Sequence, residues 1–197
     1  MVDPVAVIPA GVTRVVFKQM VEGDFRKIEA QSNDADTGGG ARDLRFSPFE
    51  EFAKIFSIIF PTLRKEKRKR NGVATDVDVF VGRLHWTEGG KEVSKEVTFE
   101  PPTDARPNEG RIPVVHTYPP LNNPPATNQG KMVLLLIQRN DGTVWPAFTT
   151  EASLKSGEWE PMVAASVLRS LSAKRPVNQV ARGYIDLVTG QEYSDAD

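Results

Sequence analysis

The stretch Asn33 to Phe46, NDADTGGGARDLRF, crowds three glycines, three aspartates and two arginines into one segment. Such a composition serves three chemistries: a phosphate cradle, a peptide-cutting carboxylate, or a polar arm that reads nucleic acid. The phosphate cradle fails on its ending, because no Gly-Lys-Ser/Thr closes the glycine run and no strongly apolar strand leads into it. Asp36-Thr37-Gly38 spells the aspartic-protease triplet, and Phe80-Val81-Gly82 offers a hydrophobic-hydrophobic-Gly partner downstream. The residues before Asp36 are SNDA, however, polar where that catalytic carboxylate needs an apolar strand to desolvate it. The protease is therefore disfavoured as well.

Nuclease and metal chemistry have little to work with. No lysine has an acidic residue two positions before it, so the Asp/Glu-x-Lys arrangement that holds a metal and orients water is missing. The two histidines, His85 and His116, lie far apart and outside any His-x-Lys or HxxxH spacing, and read as strand or loop residues. With no cysteine, thiolate catalysis, thiolate metal sites and disulfides are all excluded. The chain alone reads as a non-enzyme that needs no cofactor or metal.

Binding remains, and two segments share its vocabulary. One is NDADTGGGARD; the other is Arg106-Pro107-Asn108-Glu109-Gly110-Arg111, followed by Leu121-Asn122-Asn123. Arginine forks to guanine, asparagine to adenine, and a carboxylate accepts from cytosine N4. Glycines let a backbone come close to phosphates. The bland alternative is a pair of solvated surface loops whose arginines pair with neighbouring carboxylates; a further one is a protein-interaction barrel that contacts another domain or subunit through PPLNNPP.

The elements that must position these segments are mostly strands. Val12 to Met20 reads as a strand with Phe25 to Glu29 as its hairpin partner. Phe49, Phe52, Ile55, Phe56 and Ile59 recur at helical spacing, with Ser47 as N-cap, Pro48 at the first position and Pro61 as the stop. The basic run RKEKRKR, Arg64 to Arg70, reads as a solvated loop or helix end, with phosphate contact as the rival reading. Thr75 to Trp86 and Glu92 to Phe99 form a hairpin through EGG, and Ile112 to Thr117 is a short strand between Pro- and Asn-rich loops. Lys131 to Gln138 and Thr143 to Thr149 form another hairpin around Asn140-Asp141-Gly142, and the run KMVLLLIQ is too continuously apolar for anything but a buried strand. A second helix over Glu158 to Leu171 turns Met162, Val163, Val167, Leu168 and Leu171 inward, and Tyr184 to Val188 closes the chain as strand before Thr189-Gly190. The sum is a mainly β chain with two α-helices, arranged as a partly open seven- or eight-stranded pseudobarrel.

A chain of 197 residues with 39% hydrophobic and 26% charged content fits one globular domain, here residues 1–190, with 191–197 as the start of a linker or tail. The net charge of −1 advertises no global basic field, so any nucleic-acid contact must come from locally clustered charge. No apolar run approaches the ~20 residues that span a bilayer. A soluble cytoplasmic protein with no membrane partner is the expectation.

In order, DTGGG, LRFSPFEEFAKIFSIIFP, VDVFVGRLHW, KEVTF, NEGRI, PLNNP, KMVLLLIQ and VWPAFTTEASL resemble the N-terminal effector domain of the EcoRII-type restriction endonucleases, a DNA-binding pseudobarrel related to the plant B-three domains. The likeness runs from about residue 12 to 172. It implies a sequence-specific double-stranded DNA-binding domain for CCWGG or a close variant, gripping the duplex through two arms in the major groove. The N-arm would be residues 33–43, with Asn33, Asp36, Arg42 and Asp43 on bases and Thr37, Gly38 and Gly39 on phosphate. The C-arm would be residues 105–123, with Asn108, Glu109 and Arg111 in the family's base-reading places and Arg106 one step displaced by Pro107. Asn123 stands where the family has an acidic residue, and Gly110 where it has a lysine. Lys95 matches a phosphate clamp, and the N-terminal clamp is Lys18 or Lys27. The resemblance further implies a covalently linked nuclease domain in a parent type II restriction endonuclease, one monomeric copy per site, and a bacterial cytoplasm or nucleoid as its place.

Overall fold

The computed structural model describes residues 11–29, 42–70, 73–122, 124–125, 130–176 and 179–195. Among them run ten strands and five α-helices, and the architecture is mainly β around an open sheet. The strand β1 (Val12–Gln19) is followed by α1 (Glu22–Glu29), then β2 (Leu44–Phe46) and α2 (Phe49–Ile59). Next come β3 (Thr62–Arg70), the long β4 (Val73–Glu88), β5 (Lys91–Phe99) and the short β6 (Gly110–Ile112). A 3₁₀ turn (Val115–Thr117) and α3 (Pro119–Asn122) precede the hairpin β7 (Met132–Arg139) and β8 (Val144–Thr150). The helices α4 (Glu151–Lys155) and α5 (Pro161–Ser172) and the hairpin β9 (Arg182–Asp186) and β10 (Gln191–Ser194) complete the described chain.

One sheet runs in the order β10-β9-β1-β7-β8-β4-β3, with β5 on the remaining edge of β4; β2 and β6 form a separate two-stranded ribbon. The sheet is the middle layer of the molecule. Along β7, Met132, Leu134 and Leu136 enter a core under α2, α3 and the ribbon, while Val133, Leu135 and Ile137 enter a second core under α4 and α5. On β1, Val16 faces the first core and Val15 and Phe17 the second. A strand covered on both faces has no polar side to show, which is why KMVLLLIQ lacks alternation.

Strand β4 turns the sheet into two wings. Its first half pairs with β3 from Val73 to Val81, its second with β5 from Phe80 to Glu88, and at Leu84 it meets Val144 of β8 in a parallel contact. Gly82 makes the corner possible, because a Cβ there would run into the ring of Phe60.

Several expectations are corrected. Phe25 to Glu29 is not a strand but the end of α1, where Phe25 and Ile28, three apart, pack into the first core. RKEKRKR is neither loop nor helix end; every residue of β3 pairs with β4, and the side chains from Arg64 to Arg68 alternate between the two faces of a strand. Ser47 does not cap α2: Pro48 holds the N-cap place in an extended conformation, and the Ser47 hydroxyl accepts from Arg182 at 2.7 Å. The strand expected to Thr117 stops at Ile112, because Val114 takes a positive φ of 48° and turns the chain into the 3₁₀ turn. Glu160 caps α5 through Val163 N–H at 2.8 Å, which starts that helix at Pro161 and leaves Met162 54% exposed rather than inward. Two helices were expected, and α1, α3 and α4 are each too short for a periodic signal.

The floor beneath the ribbon is aromatic. Phe56 stacks on Phe99 at 3.9 Å between centroids, Phe46 meets Phe56 edge-on at 5.3 Å, and Phe52 lies 5.1 Å from Phe46. All four are buried, and each such ring contributes about 2–3 kcal/mol by leaving water. Gly110 closes this floor: a Cβ would overlap the Phe99 ring and stand 2.8 Å from Phe49 Cδ2. Position 110 has no room for a side chain. Gly110→Ala is expected to lower stability by about 1–3 kcal/mol through overpacking, read as a lower urea midpoint; an unchanged midpoint would show that the floor yields.

Candidate functional site

Both polar segments are rooted in the ribbon. The N-arm ends at Arg42 and Asp43 and runs straight into β2, while the C-arm delivers Arg106, Asn108 and Glu109 to the start of β6. The strands are antiparallel, with Leu44 opposite Ile112, Arg45 opposite Arg111 and Phe46 opposite Gly110. Arg106, Asn108 and Glu109 therefore stand at one end of the ribbon, and Arg42 at the other. In this register Arg42 and Glu109 are five positions apart, about 17 Å of extended chain.

The register places two arginines face to face, an arrangement that like charges make unfavourable. Asp43 resolves it. Its carboxylate accepts from Arg45 Nε at 3.1 Å and from another Arg45 guanidinium nitrogen at 3.0 Å, and is 3.4 Å from Arg111; the side chain is only 2% exposed. Arg111 turns its other side to Glu100, donating from Nε at 2.9 Å, while the two backbones bridge at 2.8 and 3.0 Å. Arg45 also donates to Glu109 at 3.1 Å, and Glu109 lies 4.0 Å from Arg106.

The chain of alternating charge continues onto the sheet. Glu100 accepts from Arg68 at 2.6 Å, Arg68 also reaches Glu66 at 2.6 Å, and Arg64 joins Glu66 to Glu96 at 2.9 Å each. The register sets Arg64 beside Val79 and Glu66 beside Val77, so these side chains share a face with the buried valines Val77, Val79 and Val81. Their stems cover that patch while their heads form the ion chain. Burial would raise the Glu66 pKa, but hydrogen bonds from Arg64 and Arg68 outweigh it and hold the carboxyl below its ordinary value. Burial likewise opposes charge on Arg68, and Glu100 and Glu66 more than restore it.

The opposite end of the ribbon is cationic. Val115 N–H donates to the Arg42 carbonyl at 3.0 Å, and Lys95 Nζ donates to the Thr117 carbonyl at 3.0 Å while lying 5.0 Å over the Tyr118 ring. His116 sits between these two anchor points. Its pKa is pushed down by burial first and then by the charges of Arg42 and Lys95.

The expected site residues thus divide. Arg106, with 59% of its side chain exposed, and Asn108, also exposed, present themselves to solvent. The Asn108 carbonyl accepts from Phe49 N–H at 3.0 Å, which fastens the C-arm to the first turn of α2. Glu109 is half-buried and held from behind by Arg45, whereas Arg111 and Asp43 are locked inside the ion chain. Lys95 is exposed on β5. Lys18 is corrected: it is 4% exposed on β1 with its ammonium on Asp24, a buried pair that no phosphate reaches. Lys27 has its backbone in α1, and its side chain lies outside the described residues, as do Asn33, Asp36, Thr37, Gly38, Gly39 and Asn123. Phe80-Val81-Gly82, the partner motif of a protease, lies inside β4, with Val81 buried and Gly82 against Phe60. Among the described residues no group of three or more His, Asp or Glu side chains is placed to hold a metal, and no helix is long and apolar enough to cross a membrane.

Sequence reasoning missed Arg45, Glu100, Arg68 and His116. Asp43 and Arg45, two apart on a strand, share a face, and that spacing was the available signal; the partners of Glu100 and Arg68 lie on other strands. Comparison of the chain with family models, curated proteins and solved structures found no match.

Removing Arg111 leaves two buried carboxylates, Asp43 and Glu100, each short of a partner. Arg111→Ala is expected to cost about 3 kcal/mol of stability in a urea titration, and Arg111→Lys less, since one ammonium holds one carboxylate at a time. A loss below about 0.5 kcal/mol, the scale of an exposed pair, would contradict a structural role.

Proposed function

We propose that this chain is a sequence-specific double-stranded DNA-binding domain of the EcoRII N-terminal pseudobarrel type, reading CCWGG or a close variant through two arms in the major groove. The observation that carries the reading is the common root of the arms: one rigid ribbon, cross-tied by Asp43, sets exposed Arg106 and Asn108 at one end and cationic Arg42 and Lys95 at the other. Base-edge donors and cations carried by one rigid element are what a duplex requires. The geometry also revises the roles within the reading. Arg106, Asn108 and the outer oxygen of Glu109 contact bases, Lys95 contacts phosphate, and Arg111 and Asp43 position the others.

Within the same reading the domain performs no catalysis and targets a separate nuclease domain of a restriction endonuclease. Near-neutral overall charge suits this role, since few phosphates are contacted and specificity rests on base edges.

A magnesium-free gel-shift titration against a CCWGG duplex and a scrambled duplex, at two salt concentrations, tests it. Tight binding to the first alone is expected. Asn108→Ala should then cost about 1–3 kcal/mol on CCWGG and leave nonspecific binding unchanged. Equal, salt-sensitive binding to both duplexes would contradict sequence reading.

A further inference from the structure

We infer that the free edge of β3 is a strand-docking site, one that takes an extended acidic segment of a partner protein as an additional antiparallel strand. The inference is independent of the DNA-binding reading, since β3 belongs to the large sheet and not to the ribbon.

β3 ends the sheet, so it pairs on one side only. Its nine residues match β4 one for one, from Thr62 opposite Val81 to Arg70 opposite Val73, with no shift of register. Among the described residues no backbone hydrogen bond reaches the outer side of Thr62 to Arg68. Alternate residues there turn an amide N–H and a carbonyl outward. A short strand, a bulge, a proline or a covering element would close such an edge, and within the described residues β3 has none of them. The other edges are better closed. β10 has only four residues, and β5 is tied down by the Glu100–Arg111 bridge and by Lys95 on the Thr117 carbonyl.

The two faces of the strand differ in what they have left to bind. Arg64, Glu66 and Arg68 are joined to one another and to Glu96 and Glu100, so each already has its counter-charge and the row holds β3 in place. The opposite row is open: Leu63 is 56% exposed, the Lys65 side chain 73%, and Lys67 is exposed too. β4 sets Phe80 beside Leu63, Asp78 beside Lys65 and Asp76 beside Lys67, which matches apolar to apolar and cation to carboxylate. The Lys65–Asp78 pair is long, at 3.6 Å, and exposed on both sides, so it holds neither charge firmly. The same matching on the outer side defines the guest. It carries one carboxylate against Lys65, another against Lys67, and an apolar side chain against Leu63.

The same residues turn other occupants away. A second copy of β3, paired antiparallel about Glu66, would set Lys65 against Lys67 and Arg64 against Arg68, and like charges directly opposite are destabilising. The edge thus rejects its own kind and admits an acidic strand, which is specificity by repulsion as well as by fit. A duplex would meet Asp76 and Asp78 on the same face as the lysines and would leave the outward carbonyls unmatched. A peptide backbone supplies both donors and acceptors at the spacing of the edge.

The test is a backbone-amide NMR titration of the whole chain with the capped peptide Thr-Glu-Thr-Glu-Thr-Ile-Thr. In antiparallel register its glutamates face Lys67 and Lys65 and its isoleucine faces Leu63. The shifted amides are expected to lie in β3 and in β4 beside it. The peptide with lysine in place of both glutamates should bind at least roughly tenfold more weakly. The double variant Lys65→Glu, Lys67→Glu changes two exposed side chains outside the core and should reverse that preference. Of the two forms of the acidic peptide N-methylated on alternate residues, one should lose binding, because only one set turns its N–H groups toward β3. Unmoved β3 amides, equal binding of the acidic and basic peptides, or undiminished binding of both methylated forms would each overturn the inference. So would β3 shifts produced by a duplex and not by the acidic peptide, which would give this edge to nucleic acid. The gel shift on CCWGG is decided separately from all of these.

Discussion

Arg45 and Arg111 stand directly opposite one another across a three-residue ribbon, and the rest of the site depends on the buried carboxylates that make this tolerable. Asp43 lies between them and Glu100 takes the far side of Arg111. Neither carboxylate is replaceable by solvent, since both are almost fully buried. A charge removed from this set leaves its partners unpaired in a place where water cannot compensate, which makes the geometry of the ribbon close to all-or-none. Through Glu109 the constraint extends to the C-arm, and through Arg68 and Glu66 to the outer face of the sheet. The ion chain thus couples the polar arms to the rigid part of the fold.

That rigid part is supplied by packing. The sheet is sandwiched between two apolar layers, and the phenylalanines under the ribbon leave no space for even one more methyl group at Gly110. Binding side chains are placed precisely only when the elements that carry them are held by packing. Here the hold comes from below through Phe46 and Phe99, and from the side through the Asn108 carbonyl on the first turn of α2. Arg106 and Asn108 stand outside that packing and are exposed.

How far the sequence revealed this depended on whether the signal was local. KMVLLLIQ was legible as a buried strand because the six residues Met132 to Ile137 are all apolar. FEEFAKIFSII was legible as a helix because its apolar residues keep one face. RKEKRKR was not legible as a strand, since its face is held by ion pairs to Glu96 and Glu100 on another strand instead of by apolar alternation. Val114 was not legible either: a left-handed β-branched residue is dictated by what surrounds it, and no local pattern announces it. The vocabulary of the site could be read from Arg106, Asn108, Glu109 and Arg111, but the division of labour among them could not. Exposure and partners separated Arg106 and Asn108 from Arg111, and both depend on residues that are remote in the chain.

The central claim is that the segment proposed to read bases is held in place by the ion chain behind it. Its most direct test is a double-mutant cycle of Arg45→Met and Glu109→Gln, read as the ratio of affinities for CCWGG and scrambled duplexes under conditions where every variant is folded. The account predicts a coupling of about 1 kcal/mol or more in that ratio, because Arg45 acts on the reading through Glu109. Strict additivity, or a ratio indifferent to both substitutions, would contradict it and reduce the ion chain to a stabilising surface feature.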